Sequence, residues 1–419
     1  MNFHRTSHRL LPLLALALAG SAWSQSSPWY VGAALGLSHD SNVYRLSDGF
    51  ALQAGLARGD TITTATLLAG LDQPIGRQRV QGSAQLRNSR FSRNEGLNNS
   101  GYGLNLSLDW ATIERLSGKV QLAANRDLAV FAPDSDIPTL QRKNVASSEQ
   151  IDASVRLGLI SRWVAEATVG WRNVGYSASE FQSREYNQGS ASLGLQYRPS
   201  GALGLGTALR ATNGRFPRAL ALGNDQFLAD RFKRHDIDFT ADWVASGAST
   251  VNARISTGRV RYREATQRDF SGLTGQLRWQ WRPTGKLTLG TTLLRETGLD
   301  SSRALGTGFF VTGTGTDVSK TTDALRLRAD YELTGKISLN ASVSRASRTL
   351  VNTQQISSST GPTEGGDRTH GAGLGMRWVP TRALQFSCDW SREQRRTDGG
   401  LSSPYSVDVV GCVGQIILQ

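Results

Sequence analysis

In several stretches of this chain arginine and aspartate alternate with apolar residues, and that spacing is the first chemistry it offers. Arg326, Arg328 and Asp330 interleave with Leu325, Leu327 and Ala329, and Asp236 and Asp238 interleave with Ile237 and Phe239. Arg87, Arg156, Arg172, Arg198, Arg210, Arg254, Arg278 and Arg377 fall in the same phase of other apolar alternations, as do Asp109, Asp152, Glu166, Asp242, Asp389 and Glu393. A strand sends successive side chains to opposite faces, so these groups share one wet face. Guanidinium and carboxylate groups along an enclosed face hydrogen-bond a polar solute and set the charge preference of an aqueous path. The other outcome of the same residues is a space filled by their own ion pairs.

Catalytic chemistry is not expected. Beyond the N-terminal leader the histidines are His39, His235 and His370, and none sits in a nucleophile motif. A Ser/His/acid centre needs mutual geometry that the spacing does not offer. Gly313-Thr-Gly-Thr316 lacks the strand-to-helix context of a phosphate loop. No Cys/His cluster has zinc spacing. Asp40-Ser-Asn-Val-Tyr44 and Asp300-Ser-Ser302 suit solvated loops better than calcium sites. No cofactor and no metal are therefore expected.

The elements that position these groups are strands. Leu277, Trp279 and Trp281 alternate with Arg278 and Gln280 up to a Pro-Thr-Gly turn, after which Leu287, Leu289 and Leu293 alternate with Thr288 and Thr292. This is an antiparallel hairpin with one apolar face. Trp281 ends that face beside the turn, and Trp110, Tyr197, Trp243, Tyr331 and Trp378 recur beside similar turns. Aromatic rings prefer the boundary of hydrocarbon and water, so these six define a girdle at the periplasmic end of a membrane barrel.

The N-terminal segment reads as a signal peptide. Arg5 and Arg9 precede a short apolar run, Leu10 to Ala19, and Ala22 and Ser24 are small residues at the positions a signal peptidase reads. Cleavage is expected after Ser24, leaving 25–419 as one domain. No later run is apolar for the ~18 residues a membrane helix needs, so a membrane form must be a barrel. Short turns join the strands in pairs, and one further strand at each end brings an all-β, transmembrane antiparallel barrel to about eighteen strands, with sixteen the alternative. The expected long connections are 39–61, 126–146, 213–234, 298–320 and 350–368. Glycines such as Gly101, Gly103, Gly371, Gly373 and Gly375 fall on the wet face, as in a wide water-filled barrel with no core to pack there.

The formal charge is +13. The arginines are scattered and follow a secretory signal, so nucleic acid is not an expected partner. Outer-membrane lipids, anionic lipopolysaccharide and acidic solutes are. Cys388 and Cys412 fall opposite each other in a hairpin centred on Gly400, so a disulfide between them is one possibility in the oxidising periplasm. Two small apolar thiols on a lipid face are the other.

A family resemblance rests on Tyr30-Val-Gly-Ala-Ala-Leu-Gly-Leu-Ser-His-Asp-Ser-Asn-Val-Tyr-Arg-Leu-Ser-Asp48. Gly59-Asp-Thr-Ile-Thr-Thr-Ala-Thr-Leu67, Leu71-Asp-Gln-Pro-Ile-Gly-Arg-Gln-Arg79, 384–388 and 405–418 add to it. These segments resemble outer-membrane barrels of the EpsL type, encoded in exopolysaccharide operons. The resemblance implies a porin-like conduit in a polysaccharide synthesis and export system of a Gram-negative outer membrane. It also implies partners in the polymer and in other components of that system. The rival expectations are a general diffusion porin and a non-conducting scaffold. Leu418 stands where such barrels usually carry an aromatic residue.

Overall fold

In the computed structural model the described residues are 27–113, 115–131, 140–158, 161–223, 226–298, 319–351 and 364–419. The leader, the two turn residues 159 and 160, and the motifs at 300–302 and 313–316 lie outside them. The strands are β1 Trp29–Asp40, β2 Asp60–Ile75, β3 Gln78–Phe91, β4 Asn99–Ala111, β5 Leu116–Leu128 and β6 Val145–Leu157. They continue as β7 Trp163–Tyr176, β8 Tyr186–Ser200, β9 Leu203–Gly223, β10 Gln226–Ser246, β11 Ser249–Tyr262 and β12 Phe270–Trp281. The remainder are β13 Leu287–Glu296, β14 Ser319–Thr334, β15 Ile337–Val351, β16 Glu364–Trp378, β17 Leu384–Asp398 and β18 Tyr405–Leu418.

Each strand pairs antiparallel with its chain neighbours, and β1 pairs with both β2 and β18, closing an 18-stranded ring. The closing register runs from Val31 opposite Leu418 to Asp40 opposite Val409. Closure leaves no unpaired edge, which is the condition for crossing hydrocarbon with strands. The outward parity carries the apolar band: Leu67, Leu193 and Leu209 keep 62%, 69% and 64% of their surface exposed. Such a continuous apolar surface is stable only against lipid. At the short-turn end Trp163 lies 4.6 Å from Tyr197, and Trp279 stacks on Trp281 at 5.9 Å, forming part of the aromatic girdle. Cys388 and Cys412 are directly opposed on β17 and β18 and are joined by a disulfide.

One expected loop is in fact strand. The segment 213–234 reads as a connection from its Gly, Asn and Asp content. Instead, β9 and β10 continue to Gly223 and Gln226 as a ribbon, with register irregularities near its tip. Each strand satisfies the other's backbone, so the ladder needs neither lipid nor a core to continue outward.

At the outer ends of β3 and β7–β11 the facing rule inverts. Phe91, Val174, Tyr176, Tyr186, Phe216, Phe232, Val260 and Tyr262 have inward parity and are buried, while the neighbouring outward positions Arg90, Arg215, Arg231, Lys233, Arg259 and Arg261 are exposed. The expectation of a wet inner face along the whole barrel is corrected here. Beyond the hydrocarbon an outward side chain meets water or headgroups, so apolar groups gain by turning in. They pack with Val43, Tyr44 and Leu46 from the connection after β1 and with Phe131 and Leu140 from that after β5. Phe232 lies 5.7 Å from both Phe216 and Tyr262. Each such burial is worth about 1.5–3 kcal/mol.

A hydrogen-bonded clasp anchors this cluster and recurs every fourth strand. The N–H groups of Ser92, Ser177 and Arg263 donate to the carbonyls of Thr61, Val145 and Arg231 at 3.0, 2.9 and 2.9 Å. Asp60 accepts from the N–H groups of Ser92, Arg93 and Asn94 at 3.0, 3.0 and 2.7 Å. Asp230 accepts from those of Arg263, Glu264 and Ala265 at 3.2, 2.9 and 3.2 Å. Asn144 takes the same place, accepting from Ala178 N–H at 3.1 Å. Phe91, Tyr176 and Tyr262 each donate their N–H to a side chain beyond the turn: Asn98, Glu185 and Asp269 at 2.7, 3.1 and 2.8 Å. A short 3-10 turn follows every clasp. Tyr44 joins the first by donating its hydroxyl to Asn94 Oδ1 at 3.2 Å. Burial, with the Asp60 carboxylate adding to it, pushes that hydroxyl above its ordinary pKa.

Candidate functional site

The lumen is where the chain gathers its polar groups, and strand parity is what delivers them. On β9–β11 the rows are fixed by register: Arg210 lies opposite Asp236, and Asp238 lies opposite Ser256. Arg210 Nη2 sits 3.1 Å from Asp236 and 3.3 Å from Asp238. Arg234 Nε donates to the same Asp236 at 2.7 Å, and Ser256 Oγ donates to Asp238 at 2.5 Å. The two carboxylates are buried, so sharing two guanidinium groups offsets the cost of removing them from water.

Other pairs line the wall. Arg87 meets Asp127 at 2.8 Å, Arg156 meets Glu166 at 2.9 Å, and Arg328 meets Asp330 at 2.7 Å. Arg348 and Arg395 converge on Asp367 near the outer end of β15–β17. Among the described residues Arg254, Arg278 and Arg377 make no ion pair. Arg278 instead donates to the side-chain oxygen of Gln276, at 3.0 and 3.1 Å, once that amide is oriented to accept. Asp242 accepts from Asn252 Nδ2 at 2.8 Å. Arg254, Arg278, Gln196, Thr240, Asp242 and Asn252 line a cavity of ≈ 480 Å³ toward the short-turn end, which Arg156 and Glu166 flank. The cavity wall therefore offers several hydrogen-bond donors and acceptors, with more guanidinium than carboxylate.

Glycines on the wet face have a role different from the one expected. Several of them are not facing empty water. A Cβ on Gly258 would lie 2.0 Å from Asp236 Oδ1, and one on Gly375 would lie 2.3 Å from Asp389 Oδ1. Each bare position lets a neighbouring polar side chain lie flat along the sheet.

The structure thus joins Arg210, Asp236 and Asp238 in one network and Arg254 with Arg278 in one cavity. Arg156 flanks that cavity, and Arg87, Arg326, Arg328 and Arg377 lie elsewhere on the inner wall. Sequence reading missed Asp127, Arg234, Arg348, Asp367 and Arg395. They have the inward parity of their strands, but Asp127, Arg234 and Asp367 fall within stretches read as loops, Arg348 just before one, and Arg395 past the last apolar residue of its alternation, Trp390. His39, His235 and His370 all have outward parity on β1, β10 and β16, and do not meet. In the Asp40–Tyr44 stretch, Asp40 bonds Arg45 Nη1 at 2.9 Å and Asn42 N–H at 2.8 Å. Among the described residues no His, Cys, Asp or Glu group is placed to hold a metal ion.

A closed ring with a lipid-facing band and a charged inner wall defines a porin-like β-barrel of the outer membrane. No protein-family model and no curated protein matches the sequence. Among solved structures, the chain is similar to the outer membrane protein OpdK of Pseudomonas aeruginosa, with 12% identity over 93% of this chain and 98% of that one, at a TM-score of 0.46. It is similar to OccK2 (OpdF) of the same organism at 12% identity and a TM-score of 0.47, covering 93% and 97% of the two chains. OpdQ follows at 10% identity and 0.43, again over 93% and 97%. Likeness this distant carries no argument about what passes through this barrel.

Proposed function

We propose that the barrel is a general diffusion porin for small polar solutes, with a preference for anions. The observation that carries the reading is the lumenal cavity where Arg254 and Arg278 lack carboxylate partners among the described residues, while Asp242 is held by Asn252. Guanidinium groups not neutralised by the wall remain available to a passing anion. The Arg210–Asp236–Asp238–Arg234 network is by contrast paired within the wall, where it also reaches Ser256 and Thr297, and serves to hold it. Purified barrel in planar bilayers should conduct, and replacing Arg254, Arg278, Arg326 and Arg328 by Ser should move the reversal potential toward cation selectivity. Absence of conductance would remove the porin reading in favour of a scaffold.

A second reading, a conduit for exopolysaccharide, rests on the resemblance of residues 29–130 and the C-terminal segment to EpsL-type barrels. It predicts that deletion strands polymer in the periplasm. A diffusion porin predicts that surface polymer is unchanged.

A further inference from the structure

The outer rim of β9–β11 carries cations directly opposite cations on the face turned away from the lumen. Arg215 lies opposite Arg231 and Lys233 opposite Arg261, and on the next rung Arg259 adds a further cation opposite the imidazole of His235. All are exposed. Like charges opposed across an antiparallel ladder repel, so the arrangement costs stability unless an anion lies over it. Among the described residues, Asp269, which bonds Arg261 Nη1 at 2.5 Å, is the one carboxylate paired with this set. Strands lie ~4.8 Å apart and same-face residues ~7 Å apart along a strand. Three strands and three rungs therefore place the cations within a field about 10 Å wide and 14 Å tall.

Directly below this field on the same face are Leu209, Ile237, Phe239, Ile255 and Leu273, exposed residues of the apolar band. The continuity of cations with lipid-facing apolar residues decides the kind of anion. A soluble phosphate would use only the upper part. A molecule with several phosphates on its headgroup and acyl chains beneath would use both.

We infer that the outward face of β9–β11 is a binding site for a multiply phosphorylated glycolipid of the outer leaflet. Arg215, Arg231 and Lys233 are the phosphate contacts, and the acyl chains lie on the band below. Arg261 is committed to Asp269 and contributes long-range charge. Each basic side chain near a charged lipid surface adds a similar increment, so removing three lowers affinity by about a hundredfold.

The test uses the full-length barrel in detergent, with retention of bis-phosphorylated lipid A measured by native mass spectrometry. Dephosphorylated lipid A, phosphatidylglycerol and inorganic phosphate serve as comparison probes. The wild-type protein should retain the bis-phosphorylated lipid in preference to all three. The variant R215S/R231S/K233S should lose that preference, while the lumenal variant R278S/R377S keeps it. Mobility of unheated protein in denaturing gels reports whether each variant is folded. If the triple variant fails to fold, the wild-type comparison of phosphorylated with dephosphorylated lipid still decides. Equal retention of the two lipids, or displacement by inorganic phosphate at equal concentration, would overturn the proposal. So would unchanged retention in the triple variant, or phosphatidylglycerol bound as well as lipid A. Loss of conductance would leave this site untouched.

Discussion

Asp236 shows how much one buried carboxylate can be asked to do. It accepts from Arg234, faces Arg210, and lies over the bare Cα of Gly258. Gly258→Ala would drive a methyl group into that carboxylate, and neither guanidinium can follow without losing the other. The expected cost is about 1–3 kcal/mol, the usual range for overpacking a filled site. Urea unfolding in lipid vesicles would measure it. Gly290 makes the control, because a Cβ there meets nothing within 4 Å. Equal costs at the two glycines would mean that the Asp236 network does not depend on the space at position 258.

The clasps belong to the scale of elements. Asp230 accepts three backbone N–H groups; Arg263 shares its own with the Arg231 carbonyl, but those of Glu264 and Ala265 have no strand partner, because the chain there is leaving β11 for the turn at Thr266–Arg268. Asp230→Ala should cost about 3 kcal/mol, since it leaves buried donors unpaired. Its effect should concentrate at 263–269, where proteolysis would accelerate while the membrane band stays protected. Uniform loss of protection would show instead that the clasp stabilises the whole ring. At this scale the sequence is legible only in part. The period-two alternation of Leu325–Tyr331 or Leu203–Leu209 is imposed by lipid on one side and water on the other, so it can be read residue by residue. The clasps are imposed by contacts between residues 30 or so positions apart, as with Asp60 and Asn94. Their only local trace is an apolar residue on the wrong parity, Phe91, Tyr176 or Tyr262. The ribbon at 213–234 was illegible for a related reason: outside the bilayer neither face needs to be apolar.

For the molecule as a whole the controlling fact is which side of the ring meets lipid. Leu195 has outward parity and Gln196 inward, one residue apart on β8. Leu195→Arg should cost about 2–4 kcal/mol if the position lies near the bilayer midplane, and Gln196→Arg should cost little. Folding titrations into vesicles compare them, and equal tolerance would reverse or abolish the assigned faces. The lumenal set was the more legible half of the site, because Arg254, Arg278 and Arg326 announce their face by alternation. Which of them remain without a carboxylate was not legible, since pairing depends on the stagger between strands that only closure fixes.

The recurrence of the clasp carries a consequence for how such a protein changes over evolutionary time. Strands β2–β5, β6–β9 and β10–β13 each begin with the residue that fastens their own outer end: Asp60, then Asn144 just before β6, then Asp230 within β10. A segment that brings its own fastening can be copied or lost without unravelling what lies beside it. The circumference of the ring would then change in increments of four strands, and pore diameter, which grows with strand number, would change in steps rather than gradually.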